Sequence, residues 1–167
     1  MSVAFNADEV LEMAEQIERN AGKFYREAAK KISQADMKDM FLSMASMEDG
    51  HLKVFQAMRK ELKAQEKEPA VFDPYDEGTL YLQALADSKG SEGMKAPTIK
   101  LTGRESAQEL LEIAIGAEKD SVLFYVGLKG LVPAGAGKDK VEAVIREEVR
   151  HVADLRRRLV EIQGKQS

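Results

Sequence analysis

The sequence predicts an all-α protein, a four-helix bundle with one long crossover between the second and third helices. Apolar residues recur at helical spacing in four long stretches. Prolines and glycines interrupt the chain between residues 66 and 101. Side chains of the first part reappear 100 positions later, which indicates an internal duplication. We therefore expect a single domain with a helix pair at 6–65, a crossover linker at 66–101 and a helix pair at 102–164.

The first predicted helix begins near Asn6, a favourable N-cap residue, with Glu9 three positions later. It runs to about Ile32. Only three residues separate it from the second helix, predicted from about Asp36 to Gln65, so the two helices should lie antiparallel. Methionines on the buried face of the second helix are interpreted as core residues rather than haem or copper ligands. They are Met37, Met40, Met44 and Met47.

The linker holds three of the four prolines, and only residues 79–88 in it resemble a short helix. The third helix is predicted to open with a capping box, Thr102-x-x-Glu105, and to run to about Lys129. A glycine-rich stop at 130–137 precedes the fourth helix, about Lys138 to Gln163. A linker of this length can run along the ~40 Å of a 26-residue helix. The second and third helices should therefore be parallel.

Composition excludes several classes of protein. The chain has 167 residues and a formal net charge of −4, which argues against a protein that binds nucleic acid by broad phosphate neutralisation. No apolar run approaches the ~20 residues of a membrane span, and the N-terminus shows no signal peptide, so we expect a cytoplasmic protein. The absence of cysteine excludes disulfides and thiolate metal sites from this sequence.

The only two histidines each follow a glutamate by three positions, in Glu48-x-x-His51 and Glu148-x-x-His151. Thirty residues before each motif stands another glutamate, Glu18 or Glu118. The surrounding residues repeat with the same offset of 100. Glu9, Leu11, Glu12, Ala14, Phe24 and Tyr25 recur as Glu109, Leu111, Glu112, Ala114, Phe124 and Tyr125. The chain is therefore interpreted as two copies of one helix pair.

This pattern predicts a site for two metal ions. Residues three apart on a helix lie on one face, so each Glu-x-x-His motif can direct both side chains toward one point. We expect Glu48 and Glu148 to bridge the two ions, His51 and His151 to bind one each, and Glu18 and Glu118 to be terminal ligands. Four carboxylates roughly balance two divalent ions. Carboxylate and imidazole ligands suit iron or manganese, and zinc also fits.

Each of these residues also has a purely structural interpretation. The glutamates and histidines could be salt-bridged surface residues, but their apolar flanks disfavour uncompensated charge. Tyr25 and Tyr125 lie two turns after Glu18 and Glu118, where they could hydrogen-bond a ligand or take part in electron transfer; a core role is the more common case. Glu15 could be a spare ligand, and a solvated helix charge is the alternative we favour.

These residues and the long crossover resemble the rubrerythrin branch of the ferritin-like di-iron carboxylate superfamily. The resemblance implies a ferritin-like four-helix bundle and a non-haem di-iron site, with two iron ions held by Glu18, Glu48, His51, Glu118, Glu148 and His151. These six residues are also the expected catalytic residues. It further implies an oxidoreductase that reduces hydrogen peroxide or dioxygen with an external electron-donor protein, and a homodimer. No nucleic-acid or membrane partner is expected.

Two departures from the family pattern keep an alternative open. Full-length rubrerythrins append a cysteine-ligated rubredoxin domain, which is not found in this cysteine-free sequence. They also carry a second glutamate one turn after the third-helix ligand, where this chain has Ser121. The alternative function is ferroxidase-like iron binding or buffering without sustained turnover. A purely structural bundle is the third hypothesis, and it predicts no stabilisation by metal.

Overall fold

The structure, a computed structural model, describes residues 7–62, 80, 101–132, 135 and 137–165. Four long helices and the helical residue Leu80 make up the regular structure of this part of the chain, and it contains no strand. They are α1 (Ala7–Lys31), α2 (Ala35–Glu61), α3 (Ala107–Leu131) and α4 (Lys138–Gly164). The predicted all-α class and the number of helices are confirmed.

Consecutive helices form two antiparallel hairpins. In the first, Arg59 near the end of α2 pairs with Asp8 in the first turn of α1, at 2.9 Å between Nε and Oδ1. In the second, Lys129 near the end of α3 pairs with Glu142 near the start of α4. Short connections leave little choice of direction, because each second helix can only return along the first.

The contacts between the hairpins fix the topology of the bundle. Tyr25, late in α1, contacts Glu118 in the middle of α3, whereas Tyr125, late in α3, contacts Glu18 in the middle of α1. This reciprocal pairing means that α1 and α3 are antiparallel. Since α1 is also antiparallel to α2, the helices α2 and α3 are parallel. The predicted long crossover between them is confirmed.

Two apolar clusters fill the interior, one toward each end of the bundle. At one end Val10, Leu11, Phe55, Met58, Leu128 and Val141 are buried together. At the other end Ala28, Met37, Phe41, Leu110, Leu111 and Leu155 form the second cluster. The methionine prediction is confirmed for Met37 and Met44, which are buried. None of the helices described by the structure is long and apolar enough to cross a membrane.

The beginning of α3 differs from the prediction. Thr102 and Glu105 do hydrogen-bond to each other, but they belong to the loop before the helix. Gly103, between them, has a φ of +86°, a left-handed conformation that cannot form part of a right-handed helical turn. The helix starts four residues later with its own capping box, in which Ser106 accepts from the Glu109 backbone N–H and Glu109 accepts from the Ser106 backbone N–H.

The other helix boundaries lie close to those predicted, with one exception. Helix α2 ends at Glu61, and Leu62 has extended backbone angles, so the predicted end at Gln65 was too late. Residues 63–65, Asn6 and most of the 66–101 linker lie outside the described residues. Of the short helix expected at 79–88, the structure describes Leu80, which is helical. The single-domain organisation over 1–167 stays a prediction.

Candidate metal centre

All six residues of the predicted site meet in the middle of the bundle, between the two apolar clusters. Each of the four helices contributes: α1 carries Glu18, α3 carries Glu118, and α2 and α4 carry the two Glu-x-x-His motifs. The six side chains are buried, and no residue of the six is more than 4% exposed. Burial of four carboxylates and two imidazoles is costly unless protons or cations compensate the charge.

One group of ligand atoms surrounds His51. Its Nδ1 atom lies 3.1 Å from Glu48 Oε2, 2.8 Å from Glu148 Oε1 and 3.6 Å from Glu18 Oε2. One ligand atom from each of these four residues lies within 4.8 Å of all the others, a spacing that could hold a metal ion. The i, i+3 spacing on α2 brings Glu48 and His51 together, and helix packing adds the two others.

A second group surrounds His151 in the same way. Its Nδ1 atom lies 3.1 Å from Glu148 Oε2, 3.4 Å from Glu48 Oε1 and 3.5 Å from Glu118 Oε1. One ligand atom from each of these four residues again lies within 4.8 Å of all the others. Glu48 and Glu148 belong to both groups, whereas each histidine and each remaining glutamate belongs to one. The bridging role of the first pair and the terminal role of Glu18 and Glu118 stay predictions.

Protons can balance the charge of the cluster without metal. Burial raises the pKa of Glu18 and Glu118 well above the ordinary value. Burial acts in the same direction on Glu48 and Glu148, but hydrogen bonds from both histidines outweigh it and lower their pKa. Carboxylate hydrogen bonds also outweigh the effect of burial on the imidazoles, raising the pKa of His151 to about 12 and that of His51 as well. Two imidazolium cations then face two carboxylates, which leaves the cluster neutral.

The two core tyrosines connect the hairpins through this cluster. Tyr25 OH donates to Glu118 Oε1 and Tyr125 OH donates to Glu18 Oε1. Burial, followed by the charge of the facing glutamate, raises the pKa of both tyrosines well above the ordinary value, so the hydroxyls keep their protons. Of the two roles considered from the sequence, the hydrogen bond to a proposed ligand is therefore present. Each tyrosine orients the glutamate of the other hairpin.

Unpartnered atoms in the cluster fit a dinuclear metal group. Among the described residues, the buried side-chain atoms without a hydrogen bond are Glu48 Oε1, Glu148 Oε1 and His151 Nε2. The two oxygens belong to the two residues shared by both groups. Buried polar atoms normally have hydrogen-bond partners, whereas these two oxygens have only the ion-pair contacts with His51 Nδ1 and His151 Nδ1, which leaves lone pairs available for a cation. The donor set of oxygen and imidazole nitrogen suits iron, manganese or zinc.

The structure also reveals one contact that the sequence analysis missed. Glu147, next to Glu148 on α4, accepts a hydrogen bond from His51 Nε2 across the bundle, at 2.8 Å. Nothing in the sequence distinguished Glu147 from an ordinary surface glutamate, although it stands next to a predicted ligand. Its interhelical partner depends on how α2 packs against α4.

Two other side chains near the site are not part of the cluster. Glu15 is buried, so the expected solvated position is wrong. It pairs with Arg19 at 2.6 Å and lies 3.5 Å from Arg59. Its charge is thus compensated by arginines rather than by the central site. Ser121 donates its hydroxyl to the backbone oxygen of Ala117, at 3.1 Å, which satisfies it within its own helix.

Comparisons with known proteins agree with this geometry. Residues 9–88 match the family model described as Rubrerythrin. The fold is also similar to that of a Thermotoga maritima protein described as a ferritin-like diiron-carboxylate protein. The TM-score is 0.71 at 22% identity, over 96% of this chain and 99% of that one. No curated protein matches the sequence.

The resemblance predicted from the sequence is therefore confirmed, as a ferritin-like four-helix bundle with rubrerythrin-like sequence features. The family model covers the first hairpin and part of the linker. The second hairpin repeats the same ligand pattern at an offset of 100 residues. In this rubrerythrin-like protein both halves thus contribute equivalent side chains to one candidate site.

Proposed function

We propose that this rubrerythrin-like protein binds two iron ions and reduces hydrogen peroxide or dioxygen with electrons from an external donor protein. The observation that carries the proposal is the sharing of Glu48 and Glu148 by two overlapping groups of potential ligands. A bridging pair with one histidine and one terminal glutamate on each side is the arrangement that dinuclear carboxylate sites in helical bundles require. Two Fe(II) ions bound there would supply the two electrons that convert hydrogen peroxide and two protons into two molecules of water.

The protein contributes binding, orientation and protection from solvent. Glu18, His51 and the shared pair would hold one ion, and Glu118, His151 and the shared pair the other. The tyrosine hydroxyls keep the terminal glutamates in place, which limits the reorganisation that ion binding requires. The apolar clusters at either end separate the polar cluster from solvent along the bundle axis.

Ferroxidase-like iron binding without sustained turnover is the second candidate. Ser121 supports it, since its hydroxyl bonds to Ala117 and offers no additional carboxylate beside Glu118. The site would then have the six ligand residues and no spare one on α3. Both candidates require the same dinuclear centre, so they differ in what happens after oxidation rather than in metal binding.

Metal content per chain after anaerobic loading with Fe(II) and desalting tests the shared requirement. We expect two iron ions per chain in the parent protein and a large loss in Glu148→Gln, which keeps the side-chain volume but removes a shared carboxylate. Glu142→Gln is the matched control on the same helix, because Glu142 pairs with Lys129 at the surface. Near-zero iron in the parent protein would overturn both candidates.

Steady-state peroxide consumption then separates the two candidates. The loaded protein is mixed with excess hydrogen peroxide and a chemical reductant, and the peroxide consumed per iron pair is counted. Many equivalents support the oxidoreductase, and Glu148→Gln should abolish the consumption while Glu142→Gln retains it. About one equivalent per iron pair, followed by arrest despite the reductant, would support iron handling instead.

A further inference from the structure

The two histidines of the candidate centre have different surroundings on the side away from the carboxylates. His51 directs Nδ1 toward Glu18, Glu48 and Glu148 and places Nε2 2.8 Å from Glu147 Oε2. The Glu147 side chain is 42% exposed, so it reaches from the protein surface to the buried imidazole. His51 is thus held on both of its ring nitrogens.

In the part of the chain that the structure describes, His151 lacks the equivalent acceptor. The internal repeat places residue 47 where Glu147 stands in the other half, and residue 47 is a half-buried methionine. A thioether sulfur is at most a weak hydrogen-bond acceptor. In agreement with this, His151 Nε2 is buried without a hydrogen-bond partner among the described residues. The duplication is therefore closely maintained in the six ligand positions but broken at the second nitrogen of one histidine.

An acceptor at Nε2 influences how strongly a histidine binds a metal through Nδ1. An imidazole that binds a metal through Nδ1 carries its proton on Nε2, and a carboxylate that accepts that proton fixes the ring orientation and makes Nδ1 a stronger donor. Glu147 offers such an acceptor to His51. The Nε2–H group of His151 has none among the described residues, which disfavours the metal-binding form of that ring.

We propose that the two metal positions are inequivalent and that Glu147 is the positioning residue that makes the Glu18–His51 position bind first. This inference rests on the dinuclear centre proposed above and adds an order of filling to it. Glu147 does not touch the metal position itself; it acts through His51. The Glu118–His151 position is the weaker one, so it fills second and releases its ion first.

The repeat supplies a reciprocal pair of substitutions for the test. Glu147→Met gives the first half the residue of the second half, and Met47→Glu does the reverse. Metal-free protein is titrated anaerobically with Co(II), followed by isothermal calorimetry and by the visible absorption of the bound ion. The parent protein should bind two Co(II) ions in two resolved steps. Glu147→Met should weaken the tighter step by about 10–100-fold and change the absorption of the first ion bound.

Further variants distinguish positioning from a general structural effect. Glu147→Gln keeps an acceptor oxygen without the charge and should weaken the tighter step less than Glu147→Met. Met47→Glu should tighten the weaker step, a gain that general damage to the fold does not produce. Glu142→Gln, on the same helix but paired with Lys129, should leave both steps unchanged.

The outcomes separate this inference from the proposed function. Two Co(II) ions bound with equal affinity by the parent protein, or steps that Glu147→Met leaves unchanged, would overturn the ordered filling while the dinuclear centre stands. A parent protein that binds no Co(II) would overturn both, and the metal content after Fe(II) loading would show the same failure independently.

Discussion

The hydroxyl of Tyr25 donates a hydrogen bond to the carboxyl group of Glu118 on the opposite hairpin. Tyr25→Phe removes this bond and keeps the ring, which packs against Phe24 and Phe41. A buried carboxyl group that loses its donor is left less satisfied, so we expect the free energy of unfolding of the metal-free protein to fall by about 1–3 kcal/mol. Urea denaturation followed by circular dichroism measures it.

The repeat provides the control for this prediction. Tyr125 donates to Glu18 in the same way, so Tyr125→Phe should have an effect of similar size. The two hydrogen bonds have different donors and different acceptors, so the two variants test them separately. Unchanged stability in both variants would show that neither hydroxyl contributes to the packing of the hairpins.

Metal affinity should rise with pH over the acidic and neutral range. Burial raises the pKa of Glu18 and Glu118, and carboxylates raise the pKa of both histidines, so the metal-free cluster holds protons at neutral pH. Ligands bind metal in their deprotonated form, and binding must therefore release protons that a lower pH opposes. Calorimetric titration with Zn(II) in buffers of different ionisation enthalpy counts the protons released. Heats that do not depend on the buffer would contradict this prediction.

The capping box of α3 should contribute to stability at Ser106 rather than at Thr102. Ser106→Ala removes the acceptor of the Glu109 backbone N–H, and loss of an N-cap costs about 1 kcal/mol. Thr102→Ala is the matched control, because the Thr102 hydroxyl bonds to Glu105 in the loop before the helix. Chemical denaturation should show the larger loss for Ser106→Ala. The reverse order would mean that the helix begins at the earlier box.

Glu15 should be dispensable for metal binding despite its burial. The internal repeat places Ile115 at the equivalent position, so Glu15→Ile copies a residue that the other hairpin already accommodates. Arg59 keeps its pair with Asp8, and the Arg19 side chain is 42% exposed and can be hydrated, so the substitution leaves neither arginine without compensation for its charge. We expect unchanged metal content and a stability within about 1 kcal/mol of the parent protein. Loss of an ion would identify Glu15 as a ligand.

Local spacing was sufficient to predict the six residues of the cluster. Glu48 and His51 stand three positions apart on a helix, which directs both side chains to one side whatever the rest of the fold does. The duplication then required a second set at the same offset. One failure of prediction was also local in origin: Thr102 and Glu105 satisfy the pattern of a capping box, but the left-handed Gly103 between them prevents a helical turn.

The sequence by itself determined the helices, their parallel and antiparallel order and the residues that meet at the centre, because these follow from helical periodicity, connection length and an internal repeat with a constant offset. Tertiary structure alone decided to which hairpin each tyrosine donates its hydrogen bond, that Arg59 of α2 lies beside Glu15, and that Glu147 reaches His51, whereas His151 Nε2 has no such partner among the described residues. Those contacts depend on how one helix is rotated and shifted against another. Periodicity within a single helix does not encode that relationship.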